Sequence, residues 1–336
     1  MVATRAPRAG SRARLVAGVP ATARLHVVTG KGGTGKTTAA AALALALAEG
    51  GRRVLLIEVE SRQAIAQLFD RPPMPYSEER ITTVGRSGVV YGLAIDPEQA
   101  MLEYLEMFYG LKRAGKGLKK LGAVDFVTTL APGLRDVLLT GKVKEAAVRV
   151  QNGRPVYDAV VLDAPPTGRI ARFLDATQEV ARLTKFGPIS SQSEGVVKLL
   201  HGPQTVVHIV TLLEEMPVQE TIDAVAELRA LHFQLGAVIV NRARPTLIGA
   251  DQVADDGTVN GPLLAAGLAH AGVDVGHAPA LAAEMAEYAE RQRVQEENLA
   301  RLDAVDLPRI QLPDLNPPVE LGELMTLATR FVEADG

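Results

Sequence analysis

Cysteine and tryptophan are both absent from the 336-residue chain, and aromatic side chains make up only 4% of it. The missing thiol excludes disulfides, cysteine-ligated zinc, iron–sulfur clusters and a thiolate nucleophile, whatever the fold. Net charge is small too. With 36 Lys+Arg against 39 Asp+Glu the formal net charge is −3, so no whole-chain attraction to nucleic acid or membrane follows. Long apolar runs are lacking: the charge-free stretch Leu199 to Leu213 holds two histidines, a glycine, a proline and a glutamine, too short and too polar to cross a bilayer. Residues 1–22 spread Arg5, Arg8, Arg12 and Arg14 among Ala, Pro, Gly and Ser. They lack the apolar segment of a secretory signal and predict a disordered basic lead-in. A cytoplasmic protein is expected.

What is present, at 47% hydrophobic residues, is enough for a large core, with residues 23–336 read as one domain. Short apolar runs alternate with helical patterns. The predicted strands are Leu25 to Thr29, Val54 to Val59, Val89 to Ile95, Val156 to Leu162, Thr205 to Leu213, Ala237 to Val240 and Pro308 to Leu312. Predicted helices are Thr37 to Glu49, Val218 to Leu231, Ala280 to Leu302 and Val319 to Val332, with 249–277 mostly loop and one short helix. This β-then-α rhythm, with strands apolar on both faces, indicates an α/β fold with a doubly wound, mostly parallel sheet. The 60 residues between Ile95 and Val156 exceed what a crossover needs. They predict an inserted helical subdomain at about 97–150, joined by 183–204.

The run LHVVTGKGGTGKTT, residues 25–38, sets GxxxxGK[ST] between an apolar strand and an Ala-rich helix, the setting in which the pattern forms a phosphate-binding loop. Gly30, Gly32, Gly33 and Gly35, with Thr34 among them, let backbone N–H groups face phosphate oxygens at the positive end of the helix. Lys36 is placed to reach the β- and γ-phosphates and Thr37 to ligate Mg²⁺, with Thr38 next to them. Asp163 ends the strand in VYDAVVLDAPPTGRIARFL (156–174), at the ligand edge of such a sheet, where it can hold Mg²⁺ through water. The bland alternative is a helix cap, for which Thr167 and Gly168 lie closer. The expected cofactors are ATP and Mg²⁺.

GKGGTGKTT resembles KGGxGKT, the deviant Walker A loop of dimeric nucleotide-switch ATPases. Among these, DAPPTGRIARFL resembles DTAPTGHTLRxL, the switch segment of the arsenite-pump and tail-anchored-protein-targeting ATPases. The resemblance runs through most of residues 25–316 and implies a P-loop NTPase fold and ATP hydrolysis. In that family a lysine at the position of Lys31 crosses the dimer interface to the partner's nucleotide, as an arginine finger would; otherwise Lys31 is a solvated loop residue. APGLRDVLL (131–139) resembles a helix of the family's client-handling region. VIVNR (238–242) resembles its adenine-contacting VVNQ, so Asn241 is either an adenine contact or a turn former after a strand. LPDLNPPVELGEL (312–324) is loosely like its adenine loop, with Pro313 as the contact.

Departures from the family pattern are equally informative. VLLIEVESRQAIAQLF (54–69) stands where the family has LLIxTDPAHNLxxxF. Glu60 therefore replaces the aspartate that orients the attacking water, unless it is only an exposed strand-end charge. Arg169 replaces a histidine, and the zinc-binding CxxC pair is missing, so no zinc is expected and arsenite, a thiolate-seeking ion, is disfavoured. No nucleic-acid partner is expected. The resemblance implies a homodimer, or a heterodimer with a related ATPase, closed by ATP to control a hydrophobic-helix client or a membrane protein. The alternative is a weakly or non-catalytic nucleotide-binding scaffold within such a heterodimer. Met101, Leu102, Leu105, Phe108 and Tyr109 line a client surface or pack as ordinary core. The basic run 112–120 is a solvated face or a contact for lipid headgroups.

Overall fold

The computed structural model describes residues 15–332 except 16–17, 21, 61, 110–131, 184–187, 250–251, 254–257 and 316–318. The basic run at 112–120, most of the lead-in and the side chains of Leu105, Phe108 and Tyr109 lie outside the described residues. In chain order the elements are β1 (Leu25–Gly30), α1 (Lys36–Ala48), β2 (Arg53–Glu58), α2 (Ala64–Leu68), β3 (Glu79–Val84), β4 (Gly88–Ala94), α3 (Pro97–Tyr109) and α4 (Pro132–Val148). There follow β5 (Val150–Gln151), β6 (Arg154–Pro155), β7 (Ala159–Asp163), α5 (Thr167–Leu183), α6 (Pro188–Leu200), β8 (Thr205–Thr211) and α7 (Glu215–Ala230). The chain continues through β9 (Leu235–Ala243), α8 (Gly261–His270), α9 (Ala278–Arg301), β10 (Arg309–Pro313) and α10 (Leu321–Ala328).

Eight strands form one sheet in the order β10-β9-β8-β1-β7-β2-β4-β3. All pairs are parallel except β3 with β4 at one edge. From β1 the chain winds one way through β2 and β4 and later the other way through β8, β9 and β10. The loop after β1 therefore lies where strand order reverses, which is where open α/β sheets bind ligands.

Both faces of the sheet are covered, and strand alternation sorts the side chains. Val54 and Leu56 of β2, with Ala159 and Val161 of β7, pack with α1 and α10. Leu55, Ile57, Val160 and Leu162 face the opposite core, with Leu138, Val143, Phe173 and Val196 from α4, α5 and α6. Helix α1 is buried throughout Ala39–Ala48. Its alanines allow close approach to the strands, while fully burying each of Leu43, Leu45 and Leu47 contributes roughly 1.5–3 kcal/mol. The stretches expected to form an insertion hold α3, α4 and α6, and the buried residues of α4 and α6 belong to the same core as the sheet. Met101 packs against that core. Among the described residues no helix is long and apolar enough to cross a membrane.

Differences from the sequence expectations have local causes. Strand β3 escapes notice because only Ile81 and Val84 of ERITTV are buried at the sheet edge. Strand β7 begins at Ala159 rather than Val156, since Arg154–Pro155 first turns back onto Val150–Gln151 through Asn152 and Gly153, both at positive φ. Strand β9 runs on to Ala243, longer than Ala237 to Val240, because β8 and β10 pair along it.

Candidate active site

The loop between β1 and α1 is fixed by steric demands at two glycines. A Cβ on Gly30 would sit 2.2 Å from the Val210 carbonyl oxygen. At Gly35 φ is +83°, and a Cβ would lie 2.2 Å from Asn241 Nδ2. Both positions need glycine. Thr34 is buried, and its hydroxyl donates to the Lys31 carbonyl at 2.8 Å, closing the turn. Asn241, also buried, donates from Nδ2 to the Thr34 carbonyl at 2.9 Å. The end of β9 thus braces the loop, leaving the Asn241 carbonyl oxygen as the acceptor to offer a ligand. Gly35 caps α1 without a side-chain hydrogen bond, and no acidic residue lies in the first turn. The uncapped N–H groups at this helix start favour an anion.

Beside the loop, Thr37 Oγ1 donates to Asp163 Oδ2 at 2.5 Å. Asp163 has its proton affinity pushed up to about 6, chiefly by burial. The Thr37 bond and Lys36 oppose the shift, while Glu58 and Glu60 reinforce it. Glu58 pairs in register with Asp163 across β2 and β7, and alternation places both on the α1 face. It is 2% exposed; one carboxylate oxygen accepts from Ile65 N–H at 3.1 Å and the other is buried without a partner, as is Asp163 Oδ1. A cavity of about 490 Å³ is lined by Gly33, Gly35, Lys36, Thr37, Thr38, Glu58, Glu60 and Asp163. Orphaned carboxylate oxygens beside a hydroxyl form a hard-oxygen donor set that fits Mg²⁺. Among the described residues no group of three or more His, Asp or Glu could hold a metal.

The remaining predicted residues fall around these. Gly32 and Gly33 are exposed at the loop tip. Glu60 lines the cavity, 3.8 Å from Arg62. Lys31 does not project freely: its ammonium donates to Glu220 Oε1 of α7 at 2.6 Å, and Glu220 Oε2 accepts from Thr167 Oγ1 at 3.2 Å. Thr29 Oγ1 donates to the Pro165 carbonyl at 2.7 Å, tying β1 to the turn after Asp163. Asn241 lines a second cavity of about 280 Å³ with Leu212, Glu214, Arg242 and Asp314. Pro313 pairs in register with Ala243, two residues beyond Asn241, and its neighbour Asp314 accepts from Arg242 and Arg244. Arg169 lies 3.7 Å from Asp136 of α4, whose proton affinity burial raises despite the arginines around it. Neither Glu58 nor Glu220 carries a sequence signal of its own. The first reads as an ordinary position inside a strand, the second as one acid on an acid-rich helix.

Residues 23–206 match the family described as anion-transporting ATPase. The chain is 56% identical over 315 residues to ATPase BagA of Mycobacterium tuberculosis (strain ATCC 25618 / H37Rv), covering 92% of this chain and 93% of that protein. It is 28% identical over 193 residues to ATPase GET3 of Kluyveromyces lactis, 55% of this chain and 54% of that one. To an ATPase ASNA1 homolog of Entamoeba dispar it is 26% identical over 259 residues, 65% and 76% of the two chains. A family match over more than half of the residues, and a relative aligned along nearly the full length, establish that the chain belongs to the anion-transporting ATPase family.

Proposed function

We propose that this ATPase works as a dimeric switch, closed by ATP and Mg²⁺ and reopened by hydrolysis, whose state sets its affinity for a protein client or membrane-associated partner. The observation that carries the reading is the 2.5 Å Thr37–Asp163 bond, which joins the phosphate loop and the end of β7 into one site. In this reading the loop N–H groups and Lys36 grip the triphosphate, and Lys36 stays aligned on the γ-phosphate as negative charge builds there. Thr37 and Asp163 would hold the metal. Mg²⁺ supplies charge neutralisation on the phosphate oxygens. Glu60, at the cavity wall, orients the attacking water through its carboxylate. Asn241 and Pro313, beside the smaller cavity, take the adenine end of the nucleotide. Lys31 completes the partner's site on closure, and the family resemblance assigns α3 and α4 to the client-handling side.

The decisive variant is Lys36→Ala, expected to lose ATP turnover by at least ~100-fold together with nucleotide-driven closure, since one preorganised cation is removed from the transferring phosphoryl group. Steady-state hydrolysis with and without Mg²⁺ checks it. Turnover equal to that of the parent chain would overturn the assignment of the loop, and no turnover in the parent would favour the scaffold reading.

A further inference from the structure

Lys31 and Thr167 belong to separate segments of the site, the phosphate loop and the start of α5, yet both are bound by one carboxylate. Glu220 accepts from Lys31 Nζ at 2.6 Å through Oε1 and from Thr167 Oγ1 at 3.2 Å through Oε2. Helix α7 does not need this residue for its anchorage. Its buried stripe is Pro217, Val218, Thr221, Ala224, Val225 and Leu228, and Glu220 stands beside that stripe with its side chain 35% exposed, against 30% for Lys31. A half-exposed pair of this kind holds its partners in place but opens at low cost. Thr167, in contrast, is buried, so a change at Glu220 is felt inside the segment that follows Asp163.

We infer that Glu220 is a positioning residue that parks Lys31 within its own chain and releases it to the partner copy's triphosphate when two copies close. This rests on the dimeric-switch reading and adds to it the group that Lys31 must leave. The exchange has a direction set by charge. Lys31 trades a single carboxylate for a triphosphate, and the trade is favourable only where the γ-phosphate adds negative charge at the interface. Glu220 thereby makes closure dependent on ATP rather than ADP: an ammonium already neutralised gains little from a diphosphate. Release of Lys31 also leaves Glu220 holding Thr167, which couples closure to the segment after Asp163.

The test uses the full chain as the parent, Glu220→Gln, Lys31→Ala and the double variant. Glutamine retains an acceptor for Thr167 and removes only the charge. Self-association is followed by sedimentation velocity in Mg²⁺ with a non-hydrolysed ATP analogue and with ADP, and kcat is measured above the association midpoint. Glu220→Gln should lower the midpoint concentration by about five- to tenfold, the worth of two half-exposed ion pairs, one in each copy, and should permit some association in ADP. In high salt, where the pair is screened, parent and Glu220→Gln curves should converge. On the Lys31→Ala background the second substitution should have no effect. Equal midpoints for parent and Glu220→Gln would overturn the inference, as would a loss of kcat in fully associated Glu220→Gln, which would place Glu220 in the closed state instead. A parent chain that never associates in the ATP analogue would remove the dimeric reading itself.

Discussion

Replacing Gly35 by alanine tests the phosphate loop at its most constrained point. Two costs are visible. The residue sits at φ +83°, where an L side chain loses roughly 1–2 kcal/mol. The new methyl would also lie 2.2 Å from Asn241 Nδ2, so the amide must withdraw from the Thr34 carbonyl and forfeit a buried hydrogen bond worth about 1 kcal/mol. The sum, roughly 2–3 kcal/mol, corresponds to about a 30- to 150-fold loss of nucleotide affinity. It appears in binding if the empty loop relaxes and in stability if it does not. Titration calorimetry with a non-hydrolysed ATP analogue and Mg²⁺, and urea unfolding without nucleotide, therefore share the total. Asn241→Ala alone should cost only the bond. Combined with Gly35→Ala it should add nothing further, because the bond is already lost, so the pair is non-additive by about 1 kcal/mol. Strict additivity, or a Gly35→Ala chain within threefold of the parent in binding and equal to it in stability, would refute the reasoning.

Two other outcomes follow from buried charge. His208 Nδ1 accepts from the Ala237 N–H at 3.2 Å, so its Nε2 carries the proton and donates to His26 Nδ1 at 3.1 Å; both rings are fully buried. Burial pushes His208 down to about 4 and His26 well below its usual range. The unfolded chain then binds more protons than the folded one below about pH 6.5, and stability falls as pH drops from there towards 4, by roughly 3 kcal/mol from His208 alone. Urea midpoints equal at pH 7.5 and pH 5 would exclude this, and a shallower slope in His208→Asn isolates the pair. Glu58→Gln keeps an acceptor for the Ile65 N–H but removes negative charge beside Asp163. The Mg²⁺ concentration for half-maximal turnover should rise about three- to tenfold, on the order of 1 kcal/mol for a partly screened charge. A lower thermal midpoint with an unaltered Mg²⁺ requirement would reduce Glu58 to a cap for α2.

Local pattern carried most of the fold. The loop, its preceding strand and its following helix are contiguous, and each reads from its own residues: uniform burial of LHVVTG, glycines where N–H groups must turn, and an alanine-rich helix with space for the sheet. Asp163 was legible for the same reason, as the first charge after a run of apolar strand residues. The elements that went unread give weak local signals. Strand β3 shows two buried side chains in six, and the Asn152–Gly153 turn joins strands of only two residues each, too short for any alternation to appear. The Asn–Gly pair itself marks a hairpin, and weight given to that dipeptide would have moved the start of β7 to its observed place.

The site was legible only where its residues share one segment. The resemblance points to Glu60, while Glu58 pairs in register with Asp163, and there burial leaves an oxygen unpaired. That inference needs the pairing of β2 with β7, which no property of residues 54–60 contains. Glu220 is harder still. It lies 189 positions from Lys31 and 53 from Thr167, on a helix whose exposed side also carries Glu227. Its role depends on β8 lying next to β1, since that adjacency brings the start of α7 over the loop. A sheet that inserts β1 between β7 and β8 makes neighbours of three segments far apart in the chain, and the charges that join them become visible only once strand order is known.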